Sequence, residues 1–265
     1  MDGTLLNSEG ELSDGNKRAL IEVMKKGSIV AITTGRVHKY VKGFCRIHGF
    51  LGPIIASNGA CVSLNYKEEP FYSAVMEYKK LLKIYEVAKQ YAIDLFFTTP
   101  EGILFDQPLP EGHIYERINK TVAPEDRMKL EYVEDCRTVL KEYSNRIIKA
   151  LCMDAKGHQN LATIRCLLEQ EGGYEIVSSW CDNIEIMPEG VSKGKGVEML
   201  AKKLNIPLTE VMAIGDSEND LSMIKIAGLG VAMGNASHQV KEVADDVTCH
   251  HNQDGVAQVL GKFIL

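Results

Sequence analysis

Val211-Met212-Ala213-Ile214-Gly215-Asp216-Ser217-Glu218-Asn219-Asp220 decides how this chain folds. An apolar run stops at Gly215 and delivers two carboxylates, Asp216 and Asp220, four positions apart. The pattern reads as a buried strand ending in an acidic loop. Open α/β sheets bind ligands outside the carboxyl ends of their strands, and hard divalent cations such as Mg²⁺ prefer carboxylate oxygens. A metal site at a sheet edge is therefore expected. The plainer reading is a helix N-cap at Asp216 or Ser217 with acidic first-turn residues. It leaves Asn219 and the apolar lead-in unexplained. The opposite end of the chain, Met1-Asp2-Gly3-Thr4-Leu5-Leu6, offers a second acidic turn with no strand in front of it.

Outward from the acidic loop, strand and helix signals alternate. A helix is predicted over 193–204, a strand over 210–214, a helix over 217–226, a strand over 229–232 and a terminal helix over 256–263. Near the N-terminus, Ser13 suits the N-cap of a helix over 13–26, and Gly27 suits its C′ position. A β-branched run over 28–33 leads into Thr34-Gly35-Arg36. A helix over 37–47 follows, then a strand over 53–56 that ends in Ser57-Asn58-Gly59-Ala60. Such alternation implies parallel βαβ units with right-handed crossovers. Between 66 and 182 the character changes to amphipathic helices over 78–91 and 158–171 and alternating runs over 93–98, 103–106 and 146–153. These runs read as strands of a sheet with one face in water. The fold expected is α/β. A doubly wound parallel-sheet core is built from residues 1–65 and 183–265, and an α+β domain is inserted over 66–182.

Bulk composition narrows the function. The 265 residues are 45% hydrophobic and 25% charged, ordinary for a globular protein. A net charge of −6 argues against a nucleic-acid footprint, though a local field can still attract a small anion. Seven scattered cysteines without a C-x-x-C pair suit a reducing compartment, so a cytoplasmic location is expected. No apolar run approaches the ~18 residues of a membrane span.

Four clusters carry possible chemistry. Asp2-Gly3-Thr4 puts a carboxylate in a turn, although Asp-Gly is common in ordinary turns. Thr34-Gly35-Arg36 offers a hydroxyl and backbone N–H groups at a helix start, a natural phosphate site. Lys193 sits where a helix dipole prefers an anion, a conflict that a shared anionic ligand would resolve. The Asp216/Asp220 loop is the fourth. Cys249-His250-His251 reads as a loop before the terminal helix rather than a metal cluster, and Met187-Pro188-Glu189-Gly190 as a turn into the Lys193 helix.

In this order the clusters resemble the haloacid dehalogenase superfamily, in particular the Cof-like subfamily IIB with a C2B cap. Asp2-Gly3-Thr4 matches the end of the first family motif, Thr34 the second, Val191-Ser192-Lys193-Gly194 the third, and Gly215-Asp216-Ser217-Glu218-Asn219-Asp220 the fourth. Ser57-Asn58-Gly59-Ala60, Gly230-Val231-Ala232-Met233-Gly234-Asn235-Ala236 and Asp254-Gly255-Val256-Ala257 add lesser matches. The resemblance implies a Rossmann-like core under an α+β cap, and a Mg²⁺-dependent phosphatase acting on small phosphorylated metabolites such as sugar phosphates.

It also implies roles. Asp2 acts as general acid and then general base, while Thr34 and Lys193 hold the phosphoryl oxygens. Gly3, Gly35, Arg36 and Asn58 contribute to the phosphate and substrate site. Mg²⁺ is held by Asp2 (through its backbone carbonyl) and Asp216, with Asn219 and Asp220 ordering its surroundings. In the family an Asp two positions before the general acid attacks phosphorus, so the nucleophile is expected immediately before Met1, on a strand of its own. A chain of these 265 residues alone is accordingly expected to be inactive or nearly so. The alternatives are a phosphotransferase or mutase on the same scaffold, and a non-catalytic regulatory protein. The expected partners are the metabolite alone, with no nucleic acid and no membrane, in a monomer or weak homo-oligomer. His113, Arg146 and Lys149 are cap residues able to meet an anion, with surface or core-edge roles as the plainer reading.

Overall fold

Ser13 accepts a hydrogen bond from the Asn16 N–H at 3.1 Å and so caps the first helix, Asp14–Lys25. In the computed structural model, which describes residues 1–154 and 158–265, this helix packs on the terminal helix Gly255–Phe263. The chain then enters the strand Ile32–Thr33, which runs parallel to Ile54–Ala56 with Ile32 opposite Ile54. Cys61–Ser63 and Tyr72–Ser73 extend this sheet in antiparallel fashion. A second group, Met212–Gly215, Leu229–Ala232 and Asp246–Val247, is parallel throughout. The alternation read from the sequence thus holds on both sides of the core. Gly215 ends its strand, with the acidic loop outside it.

Ile32–Thr33 and Met212–Gly215 are the edge strands of their groups. Both line a groove of about 570 Å³ whose walls include Met1, Val23, Ala213, Val256 and Leu260. The strand expected over 28–33 is realised only at its last two residues, because residues 28–31 border the groove and join no ladder. The helix expected to begin at residue 217 begins at Leu221. Glu218–Asp220 first forms a 3₁₀ turn closed by a capping box between Ser217 and Asp220.

Six strands form the inserted sheet, in the order Lys129–Tyr132, Gly102–Phe105, Asp94–Thr98, Lys149–Met153, Asn183–Pro188 and Tyr174–Val177. One face carries Leu95, Phe97, Cys152 and Ile186, which share a buried cluster with Leu81 and Ile84 of the Tyr78–Gln90 helix and Ile164 of the His158–Glu171 helix. The other carries Phe96, Phe105, Leu151 and Met187, which belong to the same apolar cluster as the core. The expectation of a water-washed face is therefore corrected. Its central strands are buried on both sides, because helices cover one face and the 114–128 segment and the core cover the other.

Tyr72–Ser73 pairs with the core sheet, and Asn183–Pro188 pairs with the inserted one. No helix among the described residues is long and apolar enough to cross a membrane.

Candidate active site

Lys193 is the first residue of the Lys193–Leu204 helix, behind the Ser192 N-cap, and is buried. Its Nζ donates to Asp220 Oδ1 at 2.5 Å and to Asn219 Oδ1 at 3.0 Å. The carboxylate of Asp220 thus supplies the negative charge that the helix terminus and the ammonium both call for. Asp220 Oδ2 accepts the backbone N–H groups of Asp216 and Ser217 at 2.8 and 3.1 Å. Burial pushes its carboxyl up, but the Lys193 charge and these bonds outweigh that and hold it below the ordinary carboxylate range.

Asp216 faces the N-terminal turn. It accepts from Thr4 Oγ1 at 2.5 Å and from Ser217 Oγ at 2.8 Å. Gly3, at φ +66°, lies so close that a Cβ there would stand 2.4 Å from Asp216 Oδ2. The turn is held from the far side by Asn235, whose Nδ2 donates to Gly3 O at 2.7 Å. The Met1 α-amino group points into the same cluster. Burial depresses its pKa first and the Lys193 charge second, while Asp220, Asp2 and Asp216 oppose them.

Arg36 grips Asp2 with both arms, through Nε to Oδ2 at 2.8 Å and through Nη2 to Oδ1, and stacks 4.7 Å from the Tyr40 ring centroid. Desolvation would raise the Asp2 carboxyl, and the guanidinium beside it reverses the sign and holds it low. Buried Thr34 accepts the Arg36 N–H on Oγ1 at 3.2 Å. The neighbouring loop is tied on by bonds from Asn58 N to Thr34 O and from Ser57 N to Arg36 O, both 3.0 Å. Ser57, Asn58 and Gly59 are all left-handed, at φ 49°, 55° and 95°. Such a run of positive φ is costly for non-glycine residues and brings the Asn58 amide under the inserted sheet. There Asn58 Nδ2 donates to Glu185 Oε2 at 2.9 Å, and Lys149 Nζ reaches the same oxygen at 2.5 Å and Gly35 O at 2.6 Å.

The structure therefore brings Asp2, Gly3, Thr34, Gly35, Arg36, Asn58, Lys193, Asp216, Asn219 and Asp220 to one place, and adds Lys149. His113 instead caps the Ile114–Asn119 helix and packs 5.7 Å from Phe96, ring to ring. Arg146 is exposed over Tyr143. His250 caps a short turn and His251 Nδ1 lies 2.7 Å from Leu6 O, so Cys249-His250-His251 serves as the expected loop. Sequence reading passed over Glu185 as a site residue. Its signal was a lone carboxylate between Ile184 and Ile186 in an otherwise apolar strand.

Charge pairing is orderly. Lys193 pairs with Asp220, Arg36 with Asp2, and Lys149 with Glu185. Asp216 is the carboxylate here that meets hydroxyls but no side-chain cation among the described residues. Its hard oxygens, placed against the Gly3 backbone, are of the kind that could help hold a Mg²⁺. Asn219 and Asp220 have their polar atoms committed to Lys193, Asn58 and the loop backbone.

Comparison with known proteins agrees. The haloacid dehalogenase-like hydrolase family matches residues 1–260. The chain is 28% identical over 270 residues to the pyridoxal phosphate phosphatase YbhA of Escherichia coli, covering 100% of this chain and 97% of that protein. It is also 28% identical over 283 residues to the chloroplastic endoribonuclease YBEY of Arabidopsis thaliana, where 99% of this chain spans only 45% of the longer protein. A haloacid dehalogenase-like hydrolase from Bacillus subtilis superposes with a TM-score of 0.87 at 27% identity, covering 99% of this chain and 97% of that one.

Proposed function

This chain belongs to the haloacid dehalogenase-like hydrolase family, and we propose that it is built to hydrolyse phosphoric monoesters of small metabolites, sugar phosphates among them, with the help of Mg²⁺. The carrying observation is the charge pattern of the site. Two cations, Lys193 and Arg36, belong to the site, and Asp216 meets no side-chain cation among the described residues and is free to face a metal. A divalent cation at Asp216 would offset the charge of a phosphate dianion bound beside it. Asp216 and the Asp2 carbonyl would hold the metal, which would supply positive charge against the phosphoryl oxygens.

The remaining chemistry falls to side chains. Lys193 and Thr34 hold the phosphoryl oxygens and offset charge that grows in the transition state. Asp2 gives a proton to the ester oxygen as the attacking carboxylate takes up the phosphoryl group and the P–O bond to the alcohol breaks, then takes a proton from the water that hydrolyses the resulting acyl phosphate. Arg36 keeps Asp2 ionised in the free site, and a bound phosphate dianion works the other way, restoring its affinity for a proton. By the family's first motif, the attacking carboxylate is proposed to stand two positions before Asp2.

The test compares the 265-residue chain with one extended by an apolar strand ending in Asp, using p-nitrophenyl phosphate and a panel of phosphoesters with Mg²⁺. Turnover is expected only from the extended form, and Asp2→Asn in that form is expected to lose roughly 10²–10⁴-fold. Phosphate appearing on an added sugar rather than in water would mark a transferase. Robust Mg²⁺-dependent turnover by the 265-residue form would refute the nucleophile assignment. An extended form inert to the whole panel would refute the phosphatase reading.

A further inference from the structure

Glu185 and Lys149 do not belong by composition to the strands that carry them. Glu185 lies between Ile184 and Ile186, and its cross-strand partner is Leu151. Both charges are buried, with side chains 4% and 6% exposed. Burying an ion pair stabilises a fold little, because the desolvation cost offsets much of the Coulomb gain. The pair is better explained by what it touches. Lys149 Nζ also donates to the carbonyl of Gly35, at 2.6 Å, and Ser179 Oγ donates to Glu185 Oε1 at 2.6 Å.

From Glu185 a single file of hydrogen bonds crosses into the core. Asn58 Nδ2 donates to Glu185 Oε2 at 2.9 Å, and Asn219 Nδ2 donates to Asn58 Oδ1 at 3.2 Å. Lys193 Nζ then donates to Asn219 Oδ1 at 3.0 Å. Two amides, each able to sit either way round, lie between a carboxylate that only accepts and an ammonium that only donates. Those ends allow one arrangement: both NH₂ groups must point toward Glu185 and both oxygens toward Lys193. All of these side chains except Ser179 are buried, where water cannot substitute for a lost partner.

We propose that Glu185, held by Lys149, is a positioning residue for phosphate binding. It fixes the polarity of the Asn58–Asn219 relay, and so presents the Asn219 oxygen to the Lys193 ammonium beside Asp220, only while the inserted sheet lies on the core. Closure of the cap is thereby read out at Lys193 through Asn58 and Asn219. This assignment rests on the phosphate-binding reading of the site. The contact of Arg165 with Glu218 at 2.7 Å, which crosses the same boundary as do Lys39 with Glu101 and Arg46 with Glu125, holds the cap without entering the relay and serves as the control.

The test uses Glu185→Gln, nearly isosteric but no longer an obligate acceptor, beside Arg165→Met, with inorganic phosphate as the probe. In Glu185→Gln, the side-chain amide NMR signals of Asn219 are expected to shift although Asn219 does not touch residue 185. Phosphate affinity is expected to fall about tenfold, the size typical of a lost orienting partner. Arg165→Met is expected to keep both within about twofold of the parent. Unchanged Asn219 signals in Glu185→Gln overturn the relay, as does a loss of affinity equal in the two variants. If the parent protein itself binds no phosphate, the phosphate reading of the site fails, and that outcome is distinct because it precedes any substitution.

Discussion

Lys149→Met isolates the cost of the buried pair. The substitution keeps side-chain bulk but leaves Glu185 in place, 4% exposed, with Asn58 and Ser179 as its other side-chain hydrogen-bond donors among the described residues. In the parent protein burial pushes the Glu185 carboxyl up, and Lys149 with its hydrogen bond more than reverses that. Without the ammonium the burial effect is unopposed at neutral pH. Removing one member of a buried pair typically costs about 3–5 kcal/mol, a large share of the ~5–15 kcal/mol that holds a domain. At roughly 2–4 °C per kcal/mol for a chain approaching this size, the melting temperature at pH 7 should fall by about 10 °C.

The double variant Lys149→Met/Glu185→Gln removes both charges and should recover most of the loss, since neutral replacements of buried pairs are often tolerated. The sign of the pH dependence follows from the direction of the shift. In the parent, Glu185 is depressed, so its stabilising contribution is complete above the ordinary carboxylate value and fades as pH falls. In Lys149→Met its pKa is raised, so the penalty grows with pH above the ordinary value. The gap between the two proteins should therefore narrow from pH 7 to pH 5, as followed by urea unfolding. A gap below about 1 kcal/mol at pH 7, or a double variant no more stable than the single, would refute the reasoning.

Further expectations follow from other parts of the site. Gly59→Ala places a Cβ 2.1 Å from the Ser192 carbonyl oxygen at φ +95°. It should cost about 1–3 kcal/mol and weaken phosphate binding by displacing the loop that leads into Lys193, measurable by calorimetry. Asp216→Asn should abolish any rise in melting temperature produced by Mg²⁺, while the parent gains about 1 kcal/mol or more once the metal exceeds its Kd several-fold. A thiol reagent at neutral pH should modify Cys166 and Cys181 quickly in the native protein. Cys45, Cys61, Cys136 and Cys152 should react only on unfolding, because each is buried and its pKa is pushed up to about 12.

Much of this was legible in the residues. Apolar runs closed by Gly215 or by Thr34-Gly35-Arg36 specify strands that end in loops, because the pattern and its turn chemistry agree locally. The four clusters could be brought together on paper because strand carboxyl ends share one edge of a parallel sheet. What stayed hidden depends on contacts distant in sequence. The strands of the inserted sheet alternate as if one face were wet, and nothing local says that the 114–128 segment and the core will cover that face. Glu185 looks misplaced until Asn58, 127 positions away, is set beneath it. Asp2 reads as a free acid until Arg36 takes both of its oxygens.

The groove between Ile32–Thr33 and Met212–Gly215 has a consequence for handling the protein. The two edge strands that border this groove of about 570 Å³, lined largely by apolar side chains, form a template for any extended apolar segment that reaches them. A second molecule can donate such a segment as readily as a synthetic peptide can, so concentration sets which wins. Preparations of this chain should thus be most prone to fibrous self-association when concentrated. A short soluble strand peptide added in excess should suppress it, much as a stopper keeps a socket clean.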